Sequence, residues 1–231
     1  MNNRCRVAVL ISGRGSNLQA LLQAHDDGKL QADIVGVISN KADAGGLNYA
    51  ADANIETAIV NHLDFPTREQ FDAQLLATLT RWQVDLVVLS GFMRILGDDL
   101  VNRFAGRMIN QHPSLLPDYP GLNTHQRALD DGIKKHGASV HYVIPALDAG
   151  PVLMQAEVDV RSGDDADTLA ARILPLEHKM IVAAVNLIGC GDVAMGTDGL
   201  IYHCGIVLEA PLKLSNLSPK TGQVETESNS D

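Results

Sequence analysis

Three cysteines in 231 residues, Cys5, Cys190 and Cys204, form an odd set with no Cys-x-x-Cys spacing. That pattern excludes a disulfide framework and suits a reducing compartment. Cys204, within a short apolar run, reads as a small packed residue. No apolar stretch approaches membrane-spanning length, and residues 7–11 behind Arg4 and Arg6 are too few for the hydrophobic part of a signal peptide. No cluster of Lys or Arg is present, and the formal net charge is −10, which argues against an electrostatic footprint for nucleic acid. A Gly-x-Ser-x-Gly elbow is absent and no cysteine carries a catalytic signature, so covalent acyl chemistry has no support. His125, His136 and His141 are not spaced as zinc ligands, and no metal is expected. The exclusions leave a cytoplasmic protein that acts on small molecules, away from membranes and nucleic acid.

What is present is an alternation of short β-branched runs with helical patterns. Residues 7–11, 34–39, 57–60, 85–90 and 107–110 read as buried strands, and 18–24, 47–53, 68–82 and 99–104 as helices. Phe71, Leu75, Leu79 and Trp82 line one face of the third helix, for which Thr67 and Gln70 fit a capping box. The order predicts an α/β fold with a mostly parallel, doubly wound, Rossmann-like sheet. Beyond about residue 137 two strands, 138–144 and 152–160, flank the loop 145–151 and form an antiparallel extension. A long helix over 168–187 is expected to kink or break at Pro175. Residues 200–208 suggest one last strand. The single main domain is expected over 1–212, divided near residue 105, with a disordered polar tail over 213–231.

Three loops gather the chemistry. Ser12-Gly-Arg-Gly-Ser-Asn17 follows the first strand and opens a helix, where glycines and free helical N–H groups suit a phosphate; the plain alternative is a tight turn with Ser16 or Asn17 as cap. The third glycine of a dinucleotide fingerprint is replaced by Leu18, and Ser39-Asn40 replaces the acid after the second strand. A monophosphate ester therefore fits better than NAD. Gly91-Phe-Met-Arg-Ile-Leu96 after the fourth strand offers either a cleft wall for a flat ring or an apolar loop over the core. In Asn110-Gln-His112-Pro-Ser-Leu-Leu-Pro117, Pro113 holds His112 extended, so the Asn110 amide and the His112 ring lie on one side of the strand. An amide donor beside a titratable ring suits stabilisation of an oxyanion while a proton moves. Parallel strands place all three loops at one sheet edge. Asp148 is the electrostatic partner to seek for His112, unless it merely closes an Asx turn.

Taken in order, Gly13–Asn17, Ser39-Asn-Lys-Ala-Asp43, Gly91–Leu96, Asn110–Pro117 with Tyr119-Pro-Gly121, His136-Gly-Ala-Ser-Val-His141 and Leu147-Asp-Ala-Gly-Pro151 resemble the phosphoribosylglycinamide formyltransferase family, folate-dependent enzymes of purine synthesis. The resemblance spans roughly residues 6–190. It implies the formyltransferase fold, a phosphate-binding half over about 1–105 and a folate and catalytic half over about 106–212. Gly15, Ser16 and Asn17 match the loop for the phosphate of glycinamide ribonucleotide, and Glu177 the acid on its ribose hydroxyls. Arg68, Met93, Arg94, Ile95, Leu96, Asn110, Ile144, Pro145, Ala146, Leu147 and Asp148 match positions around the co-substrate 10-formyltetrahydrofolate. Asn110, His112 and Asp148 match the catalytic trio. A monomer or homodimer is expected.

Arg14, Gln111 and Asn123 depart from the residues relatives often carry, and Asn123 stands where a histidine is usual. Methionyl-tRNA formyltransferase shares the His-Pro-Ser-Leu-Leu-Pro core but adds a basic RNA-binding domain, for which this tail is too short. A formyltetrahydrofolate hydrolase with an amino-terminal regulatory domain, and a non-catalytic phosphate-ligand sensor, are the other readings; a sensor would bind ligand and leave the folate unchanged.

Overall fold

The structure, a computed structural model, describes residues 4–216. Eight strands form one sheet in the order β11-β7-β6-β5-β4-β1-β2-β3. Its parallel part comprises β1 (Cys5–Ile11), β2 (Ala32–Ser39), β3 (Thr57–Ile59), β4 (Leu86–Ser90) and β5 (Met108–His112). Between them lie α1 (Ser16–Asp26), α2 (Gly46–Asp52), α3 (Arg68–Arg81) and α4 (Asp98–Arg103), and α5 (Thr124–Asp130) follows β5. Then β6 (Lys135–Tyr142) and β7 (Val152–Asp159) add antiparallel to β5.

Strand β1 explains why the parallel runs are apolar throughout. Val7, Val9 and Ile11 enter one core with helices α1 and α6 (Ala166–Gly189), while Ala8 and Leu10 enter a second core with Phe71, Leu75 and Leu79 of α3. A strand covered on both faces has no solvent side for polar residues. Trp82 closes the second core against β2, where a Cβ on Gly36 would lie 2.4 Å from its ring. Thr67 caps α3 by accepting from the Gln70 N–H at 3.4 Å.

Four expectations change. Helix α6 runs unbroken through Pro175, because Leu169 and Ile173 before it and Met180 and Ile181 after it pack into the same core. Its start is fixed by a reciprocal capping box between Asp165 and Thr168. Residues 200–208 form two strands rather than one: β9 (Ile201–His203) and β10 (Ile206–Val207), in a small antiparallel sheet with β8 (Val193–Met195). Cys204, in the turn between them, is exposed with a left-handed φ of 49°, so it is a turn residue and not a packed one. Lys213 and residues 214–216, expected in the tail, are ordered: β11 (Leu212–Lys213) pairs parallel with β7, and Leu214–Asn216 form a 3-10 turn. The remaining tail, 217–231, lies outside the described residues. Among the described residues no helix is long and apolar enough to cross a membrane, and no group of three His, Cys, Asp or Glu could hold a metal ion.

Candidate active site

The first loop ends on a glycine cap and not on the side-chain cap that a plain turn was expected to use. Gly15 is the N-cap of α1 with φ 74°, and no side chain caps the helix. Neither Ser16 nor Asn17 serves as the cap; both lie within the first turn. The first intrahelical bond here runs from Gln19 N–H to Gly15 O, which leaves the preceding N–H groups without helical acceptors. No acidic residue sits in that turn. Orphan donors and the positive end of the helix dipole are features that suit an anion. Helices α3 and α6, by contrast, are both closed by their own caps. A Cβ on Gly15 would lie 2.6 Å from Gly46 Cα, and Gly46 N–H donates to Gly13 O at 3.1 Å, so α2 braces the loop from behind.

Asn17 brings a distant element to the same place. Its amide Nδ2 donates to Glu177 Oε2 at 3.4 Å, from α1 to α6. Burial pushes the Glu177 carboxyl above its usual range, with the Asn17 amide working the other way. A half-buried carboxylate beside an anion cradle can receive hydroxyl donors.

The second loop meets the first directly. Ser12, 5% exposed at the end of β1, donates to Asn40 Oδ1 at 2.5 Å and accepts from Met93 N–H at 2.7 Å. Met93 and Ile95 are exposed, while Leu96 is buried in the second core. Leu96 thus covers the core, as one reading of this loop expected, while Met93 and Ile95 leave apolar side chains exposed. Gly97 N–H donates to Asp72 Oδ2 at 2.7 Å. Burial pushes the Asp72 carboxyl up, countered by that N–H and by the guanidinium groups of Arg68 and Arg94.

The third loop carries the densest chemistry. Pairing of β5 with β6 sets Asn110 opposite His141 and His112 opposite Ser139. His112 Nδ1 lies 3.5 Å from Asp148 Oδ2, and its Nε2 donates to Tyr119 O at 3.0 Å. Both side chains are more than nine-tenths buried. The same Asp148 oxygen accepts from Gly121 N–H at 2.8 Å. Asp148 holds a left-handed φ of 48°, in the loop with Ile144, Pro145, Ala146 and the exposed Leu147. The Asx-turn alternative gives way to a long-range partner: its carboxylate points across to β5.

His141 is a participant that sequence reasoning assigned to a plain strand position. Its Nδ1 donates to Tyr142 O at 2.9 Å, which fixes the tautomer and leaves Nε2 free to accept from the Asn110 amide at 3.1 Å. Burial holds its pKa down although Asp148 Oδ1 lies 3.8 Å away. Asn110, His141, Asp148 and His112 thus form a continuous polar chain. The available signal was its parity: His141 and Ser139 alternate with Val140 on β6.

Behind His112 stands a second pair. His136 Nε2 and His125 Nδ1 are 3.1 Å apart, and Tyr119 meets His136 edge-on at 5.8 Å. Burial, reinforced by His125, pushes His136 down to about 4, and burial also lowers His125. Asn123, where a histidine was expected, adopts φ 56° and is the N-cap of α5 without a side-chain cap bond. Its backbone turn, rather than any ring chemistry, is what the structure uses.

The chain is similar to proteins of known name. A family model described as "Formyl transferase" matches residues 5–185. Phosphoribosylglycinamide formyltransferase of Escherichia coli (strain K12) is 45% identical over 189 residues, covering 82% of this chain and 89% of that protein. The human trifunctional purine biosynthetic protein adenosine-3 is 43% identical over 198 residues, 86% of this chain but only 20% of that much longer protein. Among solved structures, the phosphoribosylglycinamide formyltransferase of Coxiella burnetii superposes with a TM-score of 0.87 at 43% identity, covering 91% of this chain and 99% of that one. The chain belongs to the formyl transferase family, with the phosphoribosylglycinamide formyltransferases as its relatives.

Proposed function

We propose that the protein transfers the formyl group of 10-formyltetrahydrofolate to the amine of 5-phosphoribosylglycinamide, giving formyl-phosphoribosylglycinamide and tetrahydrofolate in purine synthesis. The observation that carries this reading is the placement of the uncapped α1 end and the buried His112–Asp148 pair at one sheet edge, with the 91–96 loop between them tied to the first loop by the Ser12–Met93 bond. An anion cradle, an apolar wall and a proton-handling pair are what a phosphorylated amine and a reduced folate need from one crevice.

In this reading Gly15, Ser16 and Asn17 bind the ribonucleotide phosphate and Glu177 accepts from its ribose hydroxyls. Arg68, Met93, Arg94, Ile95, Leu96 and the loop Ile144–Asp148 surround the folate, with cations suited to its carboxylates. Asn110 keeps one amide N–H on His141 and turns the other to the oxyanion that forms as the amine adds to the formyl carbon. His112 moves the proton from the amine toward the folate nitrogen, directly or through water, and Asp148 orients and supports its ring. The phosphate half, about 1–105, and the folate and catalytic half, about 106–212, supply the two substrate sites. Every residue named comes from one chain, so a monomer or a homodimer can work. The three free cysteines support a reducing cytoplasm.

The test is an assay of purified protein with both substrates. Tetrahydrofolate and formylated ribonucleotide should appear together in equal amounts. Folate hydrolysis without the acceptor would favour a hydrolase, and binding without turnover a sensor; either result removes the proposed activity.

A further inference from the structure

We propose that Ser12 and Asp72 are positioning residues that clamp the two ends of the loop 93–97 and thereby hold the apolar wall open for the folate. The inference rests on the proposed formyl transfer and goes beyond it, since neither residue is among those assigned to the phosphate, the folate or the catalytic trio, although Ser12 stands at the start of the proposed phosphate loop.

The physical problem is the wall itself. Met93 and Ile95 are 60% and 58% exposed, although burying such side chains is favourable. A free loop would fold them onto the protein, and two backbone anchors prevent it. At the near end Met93 N–H donates to Ser12 Oγ at 2.7 Å, while the Ser12 hydroxyl proton is committed to Asn40 Oδ1 at 2.5 Å. Ser12 is therefore presented to the loop purely as an acceptor. At the far end Gly97 N–H donates to Asp72 Oδ2 at 2.7 Å. Asp72 is only 7% exposed, and its other oxygen, Oδ1, is buried with no hydrogen-bond partner among the described residues. Ordinary packing gives no reason to keep a half-satisfied carboxylate beneath a loop. A Cβ on Gly97 would lie 2.6 Å from Asp72 Oδ2 and 4.0 Å from Arg68 Nε, so the carboxylate occupies the space a side chain at position 97 would need, with the Arg68 guanidinium nearby. Asp72 fixes the end of the wall and stands beside a cation of the folate-binding set.

Steady-state kinetics, with separate titration of the ribonucleotide by calorimetry, tests the clamp. Loss of the anchor in D72A should raise KM for 10-formyltetrahydrofolate about tenfold and leave ribonucleotide affinity within about twofold. D72N retains an oxygen for Gly97 N–H and should recover most of the loss. Gly97→Ala attacks the same contact from the loop side with α3 untouched, and should reproduce the selective rise if D72A does not fold. S12A should also raise the folate KM. An unchanged folate KM in D72A or G97A, or an equal rise in both substrates' constants in D72A and D72N alike, overturns the clamp. Wild-type protein that neither binds nor consumes 10-formyltetrahydrofolate overturns the functional reading instead.

Discussion

Of the two proposed ends of the crevice, the ribonucleotide end works with main-chain atoms: residues 13–17 present N–H groups, braced by a glycine-to-glycine contact between Gly15 and Gly46. The formyl-transfer end works with side chains: Asn110, His112, His141 and Asp148, gathered from β5, β6 and the loop before β7. A backbone site depends on conformation and is lost when one φ angle or one close approach is disturbed. A side-chain site depends on partners far apart in sequence, and is lost when one member leaves the network with its neighbours still in place.

Removing a member of the side-chain site should have the largest effect. His112→Ala or Asp148→Asn should lower kcat by two to three orders of magnitude, about 3 to 4 kcal/mol, with ribonucleotide affinity retained. Near-normal transfer by either variant would remove these roles. Next, Gly15→Ala forces a methyl toward Gly46 Cα at a left-handed φ of 74°. It should weaken ribonucleotide binding by about 10- to 100-fold while folate binding persists; calorimetry with each substrate separately checks the split. A smaller effect is expected from His141→Ala, which frees the Asn110 amide: kcat should fall about tenfold at unchanged ribonucleotide KM, as for one lost hydrogen bond of about 1 to 2 kcal/mol.

The mildest test varies pH. Burial holds His136 at about 4, and His125 and His141 below their ordinary 6.5. In that window the unfolded chain binds more protons than the folded one. The stabilisation is full above about 6.5 and is lost as pH falls toward 4. Urea midpoints should decline over this range, and His136→Gln should flatten the decline; a profile unaltered by that variant would assign the pH dependence elsewhere.

The same division governs how much could be read from sequence. Residues 7–11, 34–39 and 85–90 declare themselves because strands buried on both faces are continuously apolar. Gly15 was legible for a similar reason: a strand, a glycine turn and a helix start are all local. His141 was not, since its partnership with Asn110 comes from the antiparallel register of β5 and β6 across 31 positions. Asp148 was singled out as the partner to seek for His112, while its Pro/Gly-rich loop argued for a turn; only the fold shows its carboxylate crossing to His112. Asp72 left one faint mark, a carboxylate between Phe71 and Leu75 on the otherwise apolar face of α3. Pro175 misled in the opposite direction, because packing on both sides of it outweighs a local penalty.

The Asn17–Glu177 contact joins residues 160 positions apart. A ribosome adding about 5 to 20 residues per second takes roughly 8 to 30 s to cover that interval. For that time the nascent chain carries the proposed phosphate loop with no acid beside it. The proposed ribonucleotide site thus draws on material made 160 residues apart, and α6 is the piece whose arrival brings Glu177 to the first turn of α1.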